Sequence, residues 1–381
     1  MPADMPLWLN FIIAFVIMNV LLGGMAYMTW FERKLMARMQ DRLGPTRVGP
    51  AGLLQPIADG IKLLGKEDLI PAHADKPVFF FAPLVIFVTA IVSAAVIPFG
   101  GTVEIFGQDV NLFITDLNVG ALFILAFGSV GVYGIILGAY ASTNRYSLLG
   151  GLRSAAQVIS YEIVLGLALV GVFMLAGSLS LREIMAVQQT DLEFWGLSIP
   201  NWFILSQPLA FVIYLISAVA ETNRAPFDLP EAETELAAGF HTEYSAFRFS
   251  FYFLGEYINM IIISLFASTL FLGGTDGPGA SRYWGLGLLW LLLKTVAFLF
   301  FYVWLRTTLP RFRYDQLMGI AWKVLLPLVL LNILVTAFIR LVGIGELTIP
   351  GWAWIVAIAV LVLLLIATTV RPGGSPAAAR S

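Results

Sequence analysis

Nine apolar stretches, each long enough to cross a lipid bilayer as a helix, dominate this chain of 381 residues. A spanning helix needs about 20 such residues to cross roughly 30 Å of hydrocarbon. Hydrophobic residues make up 59% of the chain and the mean hydropathy is +0.87, which leaves too little polar surface for a water-facing protein. The sequence therefore predicts an all-α integral membrane protein, a single polytopic domain over 1–381. The stretches lie at 8–30, 78–99, 117–140, 154–176, 203–220, 250–273, 283–305, 323–342 and 352–370.

Prolines and glycines inside the stretches predict local features. Kinks are expected inside three of the stretches, at Pro83, Pro208 and Pro327. In the third stretch, Gly134 and Gly138 form a small-residue face that predicts close helix packing.

The basic residues alternate between the two sets of loops that connect these stretches. All but four of the 22 Lys and Arg residues fall in one set. That set comprises 31–77, 141–153, 221–249, 306–323 and the tail after 370. By the positive-inside rule this set is cytoplasmic, so we expect the N-terminus outside and the C-terminus in the cytoplasm.

Several function classes are excluded by composition. The chain has no cysteine, so it cannot ligate an iron–sulfur cluster through thiolates or attach a c-type haem. Its two histidines, His73 and His241, fall in loops, which argues against haem ligation inside a helical bundle. A net charge of −2 without a basic domain offers no footprint for nucleic acid. Phosphate-binding glycine loops and metal-ligand spacings are also absent from the sequence, and no metal is predicted.

The cytoplasmic loop 221–249 concentrates acid. Its segment ETNRAPFDLPEAETEL holds five carboxylates and one base, Arg224. Asp228 is placed to cap a short helix that begins at Pro230. On that helix Glu231 and Glu235 would be neighbours, so each would raise the other's affinity for a proton. A solvated charged surface is the alternative interpretation. The five acids are Glu221, Asp228, Glu231, Glu233 and Glu235.

Three ionisable residues lie far from the ends of predicted spans. Glu162 and Glu256 lie roughly 12 Å and 9 Å along their helices from the cytoplasmic end, and Lys294 is near the midplane of its span. A charged group at such depth costs at least about 2.5–3.5 kcal/mol, so it usually pairs, faces the bundle interior or lines a water path. A structural Glu–Lys pair is one interpretation, and proton handling is the one we favour.

The loop 31–77 contains an amphipathic pattern. In LQPIADGIKLLGKEDL, Ile57, Ile61 and Leu64 fall on one helical face, which is typical of a helix lying in the membrane interface. A simple surface helix that shields the bundle would show the same pattern.

Three long motifs resemble a known family. They are WFERKLMARMQDRLGPTRVGPAGLLQPIADGIKLLGKED, ETNRAPFDLPEAETELAAGFHTEYSAFRFSFYFLGEY and LRTTLPRFRYDQLMGIAWK. All three closely resemble the H-subunit family of bacterial NADH-quinone oxidoreductase, respiratory complex I, over about residues 30–323. The family has an eight-helix core with cytoplasmic amphipathic helices, so the stretch 352–370 would be an extra C-terminal span.

The resemblance implies a subunit of the bacterial plasma membrane that binds no cofactor itself and helps to form a quinone chamber, with quinone as substrate. FMN and iron–sulfur clusters would reside in peripheral-arm subunits. Adjacent small membrane subunits, antiporter-like subunits and the lipid bilayer would be the other partners.

The resemblance also assigns roles to individual positions. The chamber or its lipid-side entrance would be lined by Glu32, Arg33, Ala58, Asp59, Arg224, Asp228, Tyr244 and Arg306. A proton-sensitive series that couples quinone reduction to proton translocation would comprise Glu162, Glu221, Glu231, Glu233, Glu235, Glu256 and Lys294. The motif PRFRYDQ, with Arg311, Arg313 and Asp315, would lie in a loop near the peripheral subunits.

Other interpretations stay open at the level of sequence. A related complex could use the same fold with a different electron donor, such as a membrane-bound hydrogenase. A secondary ion transporter with Lys294, Glu162 and Glu256 as its ion site is another class, although such folds often contain inverted repeats and the sequence shows none. A pure membrane anchor would account for the basic loops but not for Glu162 and Glu256.

Overall fold

The computed structural model describes residues 7–105, 108–194, 197–228, 239–280 and 284–341, and this part of the chain is mainly helical. The helices are α1 (Leu7–Met39), α2 (Gln55–Gly65), α3 (Lys76–Ser93), α4 (Gly120–Ala141), α5 (Arg145–Ala176), α6 (Leu181–Gln188), α7 (Phe203–Ser206), α8 (Pro208–Glu221), α9 (Ala246–Phe271), α10 (Trp284–Thr308), α11 (Tyr314–Gly319) and α12 (Leu326–Leu341). Short 3-10 turns occupy Pro50–Gly52, Ala94–Val96 and Gly239–His241, and a π-helix occupies Ile320–Leu325.

The chain is an all-α integral membrane protein, as predicted. Seven helices within the described ranges are long and apolar enough to cross a membrane. They are Trp8–Met39, Lys76–Val96, Gly120–Ala141, Arg145–Ala176, Ala246–Phe271, Gly285–Thr308 and Tyr314–Leu341. The shorter apolar helix α8 corresponds to an eighth predicted stretch, and the ninth, at 352–370, lies outside the described residues.

The stretch 203–220 differs from its prediction, because the structure divides it at Gln207. This residue has φ −133° and ψ 51°, between the four-residue α7 and α8. Proline disfavours a helical conformation in the residue before it, so Pro208 begins a helix where the sequence predicted a kink. The 14 residues of α8 extend only about 21 Å, less than the thickness of the hydrocarbon layer.

The first and fourth helices extend well beyond their predicted spans. The first continues past residue 30 to Met39, so Glu32 and Arg33 lie on α1 and not in a loop. The fourth begins at Arg145, because Asn144 accepts a hydrogen bond from the Tyr146 backbone N–H and caps the helix. Both extensions contain polar residues, so hydropathy alone predicts helices that are too short.

The helix from Tyr314 to Leu341 contains a π-helical segment, Ile320–Leu325, just before Pro327. Proline removes one backbone donor and clashes with the carbonyl four residues earlier, here that of Lys323. A wider turn accommodates that carbonyl, so the expected irregularity at Pro327 takes the form of a π-bulge.

Glycines bring α3 and α4 close together. A Cβ atom on Gly134 would lie 2.5 Å from Ile86 and 2.8 Å from the Ala82 carbonyl, so only glycine fits there. The small-residue face predicted from Gly134 and Gly138 therefore packs helices, as expected for Gly134. Helix α9 lies against α1, α3 and α10, and α5 lies against α4, α8 and α12, so α9 and α5 form the centre of the bundle.

The connecting segments gather at two ends of the bundle. At one, which we call the loop end, the Leu69 N–H donates to Ser245 Oγ at 2.9 Å and the Phe312 N–H donates to the Pro226 carbonyl at 3.2 Å. At the other, the hairpin end, Trp202 Nε1 donates to Asp276 Oδ2 at 2.8 Å. The loop end carries the segments predicted to be cytoplasmic.

Two antiparallel β-hairpins, which the sequence did not predict, lie in the connections at the hairpin end. Strand β1 (Thr102–Ile105) pairs with β2 (Gln108–Asn111), with Thr102 opposite Asn111. Strand β3 (Asp191–Phe194) pairs with β4 (Leu197–Pro200), with Asp191 opposite Pro200.

Candidate functional site

A buried carboxylate, Glu32, joins three elements at the loop end. It is only 3% exposed, and it accepts hydrogen bonds from Arg306 of α10 and, at 2.6 Å, from the Tyr257 hydroxyl of α9. Arg224 lies 3.5 Å from the same carboxylate, with its guanidinium 4.2 Å from the centre of the Tyr257 ring. We call these four residues the Glu32 cluster. A carboxylate between two cations is stabilised in its charged form even where water is excluded.

The next residue of α1 connects the Glu32 cluster to the amphipathic helix. Arg33 pairs with Asp59 of α2 at 2.5 Å, and Gln55 donates to the other oxygen of Asp59 at 2.9 Å. Ala58 lies beside Asp59 and is half-buried. The predicted helix is thus present as α2, and Ile57, Ile61 and Leu64 on its apolar face are exposed.

The beginning of the acidic loop is fixed by aromatic and ionic contacts. Asp228 pairs with Arg311 at 3.2 Å, and the Phe227 ring lies 5.5 Å from that of Phe312 and 5.5 Å from that of Tyr161. The loops 221–249 and 306–323 therefore meet here, next to Arg224 and the Glu32 cluster. Arg313 pairs with Asp315 at 2.8 Å on the exposed surface.

Gln157 of α5 forms hydrogen bonds that fix the beginning of the acidic loop. This residue was not predicted from the sequence. Its side chain is fully buried, and its Nε2 donates to the carbonyls of Ala220 at 2.9 Å and Phe227 at 2.8 Å. The Ala220 carbonyl lies in the last turn of α8 and the Phe227 carbonyl lies in the loop after it, so Gln157 links the helix end to the loop. Its position as a glutamine inside the apolar stretch 154–176 is the sequence signal that could have identified it.

A second polar region, which we call the carboxylate cavity, lies deeper between α4, α8 and α9. It has a volume of about 40 Å³, room for a water molecule, and its lining includes Glu221, Thr222, Asn223, Tyr252 and Glu256. Oε2 of Glu221 is shielded from solvent and accepts no hydrogen bond from the described residues. Gly128 allows the other oxygen close to α4, because a Cβ there would lie 3.4 Å from Glu221 Oε1.

Glu162 lies near the carboxylate cavity, on the outer side of α5. Its carboxylate accepts a hydrogen bond from Ser129 of α4, and both side chains face an apolar groove between α4 and α5. The structure thus brings three of the predicted proton-sensitive carboxylates, Glu162, Glu221 and Glu256, into one region of the bundle.

Lys294 is placed elsewhere, against the turn that follows α9. Its ammonium donates to the carbonyls of Leu272 at 2.5 Å, Gly274 at 3.0 Å and Asp276 at 2.6 Å, and lies 4.5 Å from the Trp202 ring centre. These contacts satisfy all three donors of an ammonium group. The side chain therefore holds the hairpin end of α9 and pairs with neither Glu162 nor Glu256 among the described ion pairs.

Tyr244 lies in a core cluster separate from the Glu32 cluster. Its ring stacks on Phe79 with centroids 4.0 Å apart, and its hydroxyl donates to the Gly138 carbonyl at 3.4 Å. Burial raises the pKa of this hydroxyl to about 12, so it stays protonated at neutral pH. The remaining predicted acids, Glu231, Glu233 and Glu235, lie outside the described residues.

Within the described part of the chain, no group of three His, Cys, Asp or Glu side chains could hold a metal ion. The Glu32 cluster instead gathers three side chains that can donate hydrogen bonds, Arg224, Arg306 and Tyr257.

The comparisons with known proteins agree on one family. A family model described as NADH dehydrogenase matches residues 12–337. The H subunit of the NADH-quinone oxidoreductase of Thermomicrobium roseum is 68% identical over 338 residues, which cover 89% of this chain and 98% of that one. An H subunit of the same enzyme from Geobacter metallireducens is 55% identical over 85% of this chain and 94% of its own length.

Similarity extends over almost the whole chain in a third relative. The H subunit from Frankia casuarinae is 49% identical over 381 residues, covering 98% of this chain and 82% of its own. Matches of this length and identity include every element from α1 to α12. The chain therefore belongs to the H-subunit family of NADH-quinone oxidoreductase, the membrane subunits of respiratory complex I.

Proposed function

We propose that this chain forms one wall of the quinone chamber of its complex, together with the entrance through which quinone arrives from the lipid. The observation that carries this proposal is the Glu32 cluster. Its two guanidinium groups and one phenol converge next to the amphipathic helix α2, at the end of α1. The relatives are named NADH-quinone oxidoreductase, so a quinone is the substrate that such a site would admit.

The entrance would lie between α1 and α2. A quinone with a hydrocarbon tail is dissolved in the bilayer, so it must pass an apolar surface before its head group meets polar side chains. Ile57, Ile61 and Leu64 supply an exposed apolar face on α2, and Arg33 and Asp59 link α2 to α1 beside it. Arg224 and Arg306 would then stabilise the negative charge that develops as the quinone is reduced.

The carboxylate cavity supplies the second half of the proposal, a path that couples quinone reduction to proton translocation. Quinone reduction consumes two protons and passes through anionic species, so carboxylates nearby must change protonation. Thr222, Asn223 and Arg224 connect Glu221 directly to the Glu32 cluster along the chain. Glu231, Glu233 and Glu235 would extend the series through loop 221–249, which we propose as the segment that moves.

The surroundings of the chain follow from the same proposal. The loop end would face the cytoplasm, with the N-terminus outside, the C-terminus inside, and the peripheral-arm subunits that carry FMN and iron–sulfur clusters docked on it. The small membrane subunits and the antiporter-like subunits would continue the path from Glu162. The names of the relatives support a subunit of a complex over the stand-alone ion transporter that the sequence left open.

The experiment that tests the coupling role replaces Glu221 by glutamine in the assembled complex in proteoliposomes. Glu221→Gln keeps the shape of the side chain but removes its titration. We expect NADH oxidation by the peripheral arm, assayed with a soluble acceptor, to be unchanged, and proton-translocating quinone reduction to fall by at least about tenfold. Glu183→Gln, an exposed residue of α6, is the matched control. Proton translocation at the normal rate in Glu221→Gln would refute the proposal.

A further inference from the structure

A second cavity opens at the loop end, away from the Glu32 cluster. It lies beside the end of α4 and is lined by Pro71, His73, Ser142, Asn144, Arg145 and Glu243, among others. Asn144 Nδ2 donates to Glu243 Oε1 at 2.6 Å, which fixes the acid at its rim. We call this the loop cavity. It is open at the loop end, so water and its protons reach Ser142 and Glu243 there.

Three hydroxyl groups lie between the loop cavity and the carboxylate cavity. Ser142 Oγ donates to the Gly138 carbonyl at 2.8 Å, and the Tyr244 hydroxyl donates to the same oxygen at 3.4 Å. The Tyr244 and Tyr252 hydroxyls both lie at Gly138, and Tyr252 donates to the Gly134 carbonyl at 3.5 Å. Tyr252 in turn lines the carboxylate cavity with Glu221 and Glu256.

The absence of a side chain at Gly138 makes room for this arrangement. A Cβ atom there would overlap the Tyr252 hydroxyl oxygen and would lie 3.1 Å from that of Tyr244. Gly138 therefore not only packs α4 against a neighbour but also leaves space for two phenol groups beside the helix backbone. Tyr244 stacks on Phe79, and the Tyr244 and Tyr252 rings meet edge to face at 4.9 Å, so both hydroxyls are held in place.

We propose that Ser142, Tyr244 and Tyr252 relay protons from the loop cavity to the carboxylate cavity, along a route separate from the Glu32 cluster. The inference rests on the proposed function, since it gives Glu221 and Glu256 their proton supply. Each hydroxyl accepts a proton from the side of the loop cavity as it releases its own toward Glu221 or Glu256, which leaves the hydroxyl unchanged. No other bond forms or breaks, and the Gly138 carbonyl only orients the donors.

The relay would let the carboxylates take protons from the cytoplasm without drawing on those that the quinone consumes. The Glu32 cluster reaches Glu221 from the side of Arg224, while Tyr252 reaches the same cavity from the side of α4 and α9. With two routes to Glu221, its protonation by solvent and its control by the quinone are separate events.

The test removes one hydroxyl at a time in the assembled complex in proteoliposomes. Tyr252→Phe and Tyr244→Phe keep the ring packing, and Ser142→Ala provides a third, independent interruption. Tyr140→Phe is the matched control, since Tyr140 is also on α4 but is 65% exposed. We expect proton-translocating quinone reduction to fall about 10- to 100-fold in Tyr252→Phe, with a larger solvent deuterium isotope effect, and both to be unchanged in Tyr140→Phe.

The isotope effect separates a relay from a packing role, because a repacked ring alone would leave it at the wild-type value. Wild-type rates and isotope effects in Tyr252→Phe, Tyr244→Phe and Ser142→Ala, alongside the expected loss in Glu221→Gln, would overturn the relay and leave the proposed function intact. Normal proton translocation in Glu221→Gln would instead overturn the proposed function and, with it, the acceptor of the relay.

Discussion

At the scale of single residues, the site depends on buried charges that are neutralised by partners distant in sequence. Glu32 is on α1, Arg224 follows α8, and Arg306 is on α10, so the ion pairs join three separate parts of the chain. Removing one partner from such a group leaves the others charged in a medium that excludes water, which costs more than the pair itself contributes.

Glu32→Gln tests the cluster. We expect the variant to lose about 3–5 kcal/mol of stability, because Arg224 is left buried beside a neutral amide. Quinone reduction should weaken chiefly through a higher KM for quinone, since Arg306 and Tyr257 would lose the group that orients them. Thermal unfolding of the purified complex and steady-state kinetics measure the two effects. Glu183→Gln, at an exposed residue of α6 remote from the loop end, should leave both unchanged. An unaltered KM in Glu32→Gln would contradict the role assigned to the cluster.

Some of the site residues could be predicted from the sequence itself and others could not. Glu162, Glu256 and Lys294 stood out because ionisable groups are rare inside apolar stretches. Glu32, Asp59 and Arg306 lie in polar segments, where charge is ordinary, and only the resemblance to a family pointed to them. Gln157 was missed although it lies inside a predicted span, because an uncharged amide carries less signal. That Lys294 binds three backbone carbonyls was beyond reach, since it depends on where the turn 272–276 folds.

At the scale of elements, α4 determines how closely the polar side chains approach one another. Three of its glycines face different neighbours: Gly128 faces Glu221, Gly134 faces Ile86, and Gly138 faces two tyrosine hydroxyls. The sequence predicted a packing face from Gly134 and Gly138. The same spacing could not reveal that Gly138 meets phenol groups, because those come from the loop after residue 238 and from α9.

Gly134→Ala should separate α3 from α4. The new methyl group would lie 2.5 Å from Ile86 and 2.8 Å from a backbone carbonyl, which cannot move without shifting α3. We expect a loss of about 1–3 kcal/mol, measured by thermal unfolding, with a lower yield of assembled complex. Gly23→Ala in α1 is the matched control, because no atom lies within 4 Å of a Cβ there. Equal stability of the two variants would show that α3 and α4 are not in tight contact.

The helices were predictable where a single physical rule determines their position. Long apolar runs marked the spanning helices, and the spacing of Ile57, Ile61 and Leu64 marked α2. A kink at Pro208 was predicted, but a complete break at Gln207 was not. The Gln207 side chain is satisfied by Asn332 and Thr336 of α12, a contact that no local pattern contains. The two hairpins have strands of only four residues each, too short for a clear alternation.

At the scale of the whole molecule, the two ends of the bundle differ in role. The hairpin end is closed by backbone and side-chain contacts such as those of Lys294 and Trp202. The loop end carries the Glu32 cluster, the loop cavity and the start of the acidic loop. Both proposed routes to the carboxylate cavity therefore begin where the peripheral-arm subunits would dock, and a proton that enters there can be linked to an electron that arrives there.

Infrared difference spectroscopy of the assembled complex measures whether Glu221 changes protonation when the quinone is reduced. We expect a carboxyl C=O band in the reduced-minus-oxidised spectrum that disappears in Glu221→Gln and persists in Glu183→Gln. The same band in wild type and Glu221→Gln, at equal intensity, would contradict this expectation.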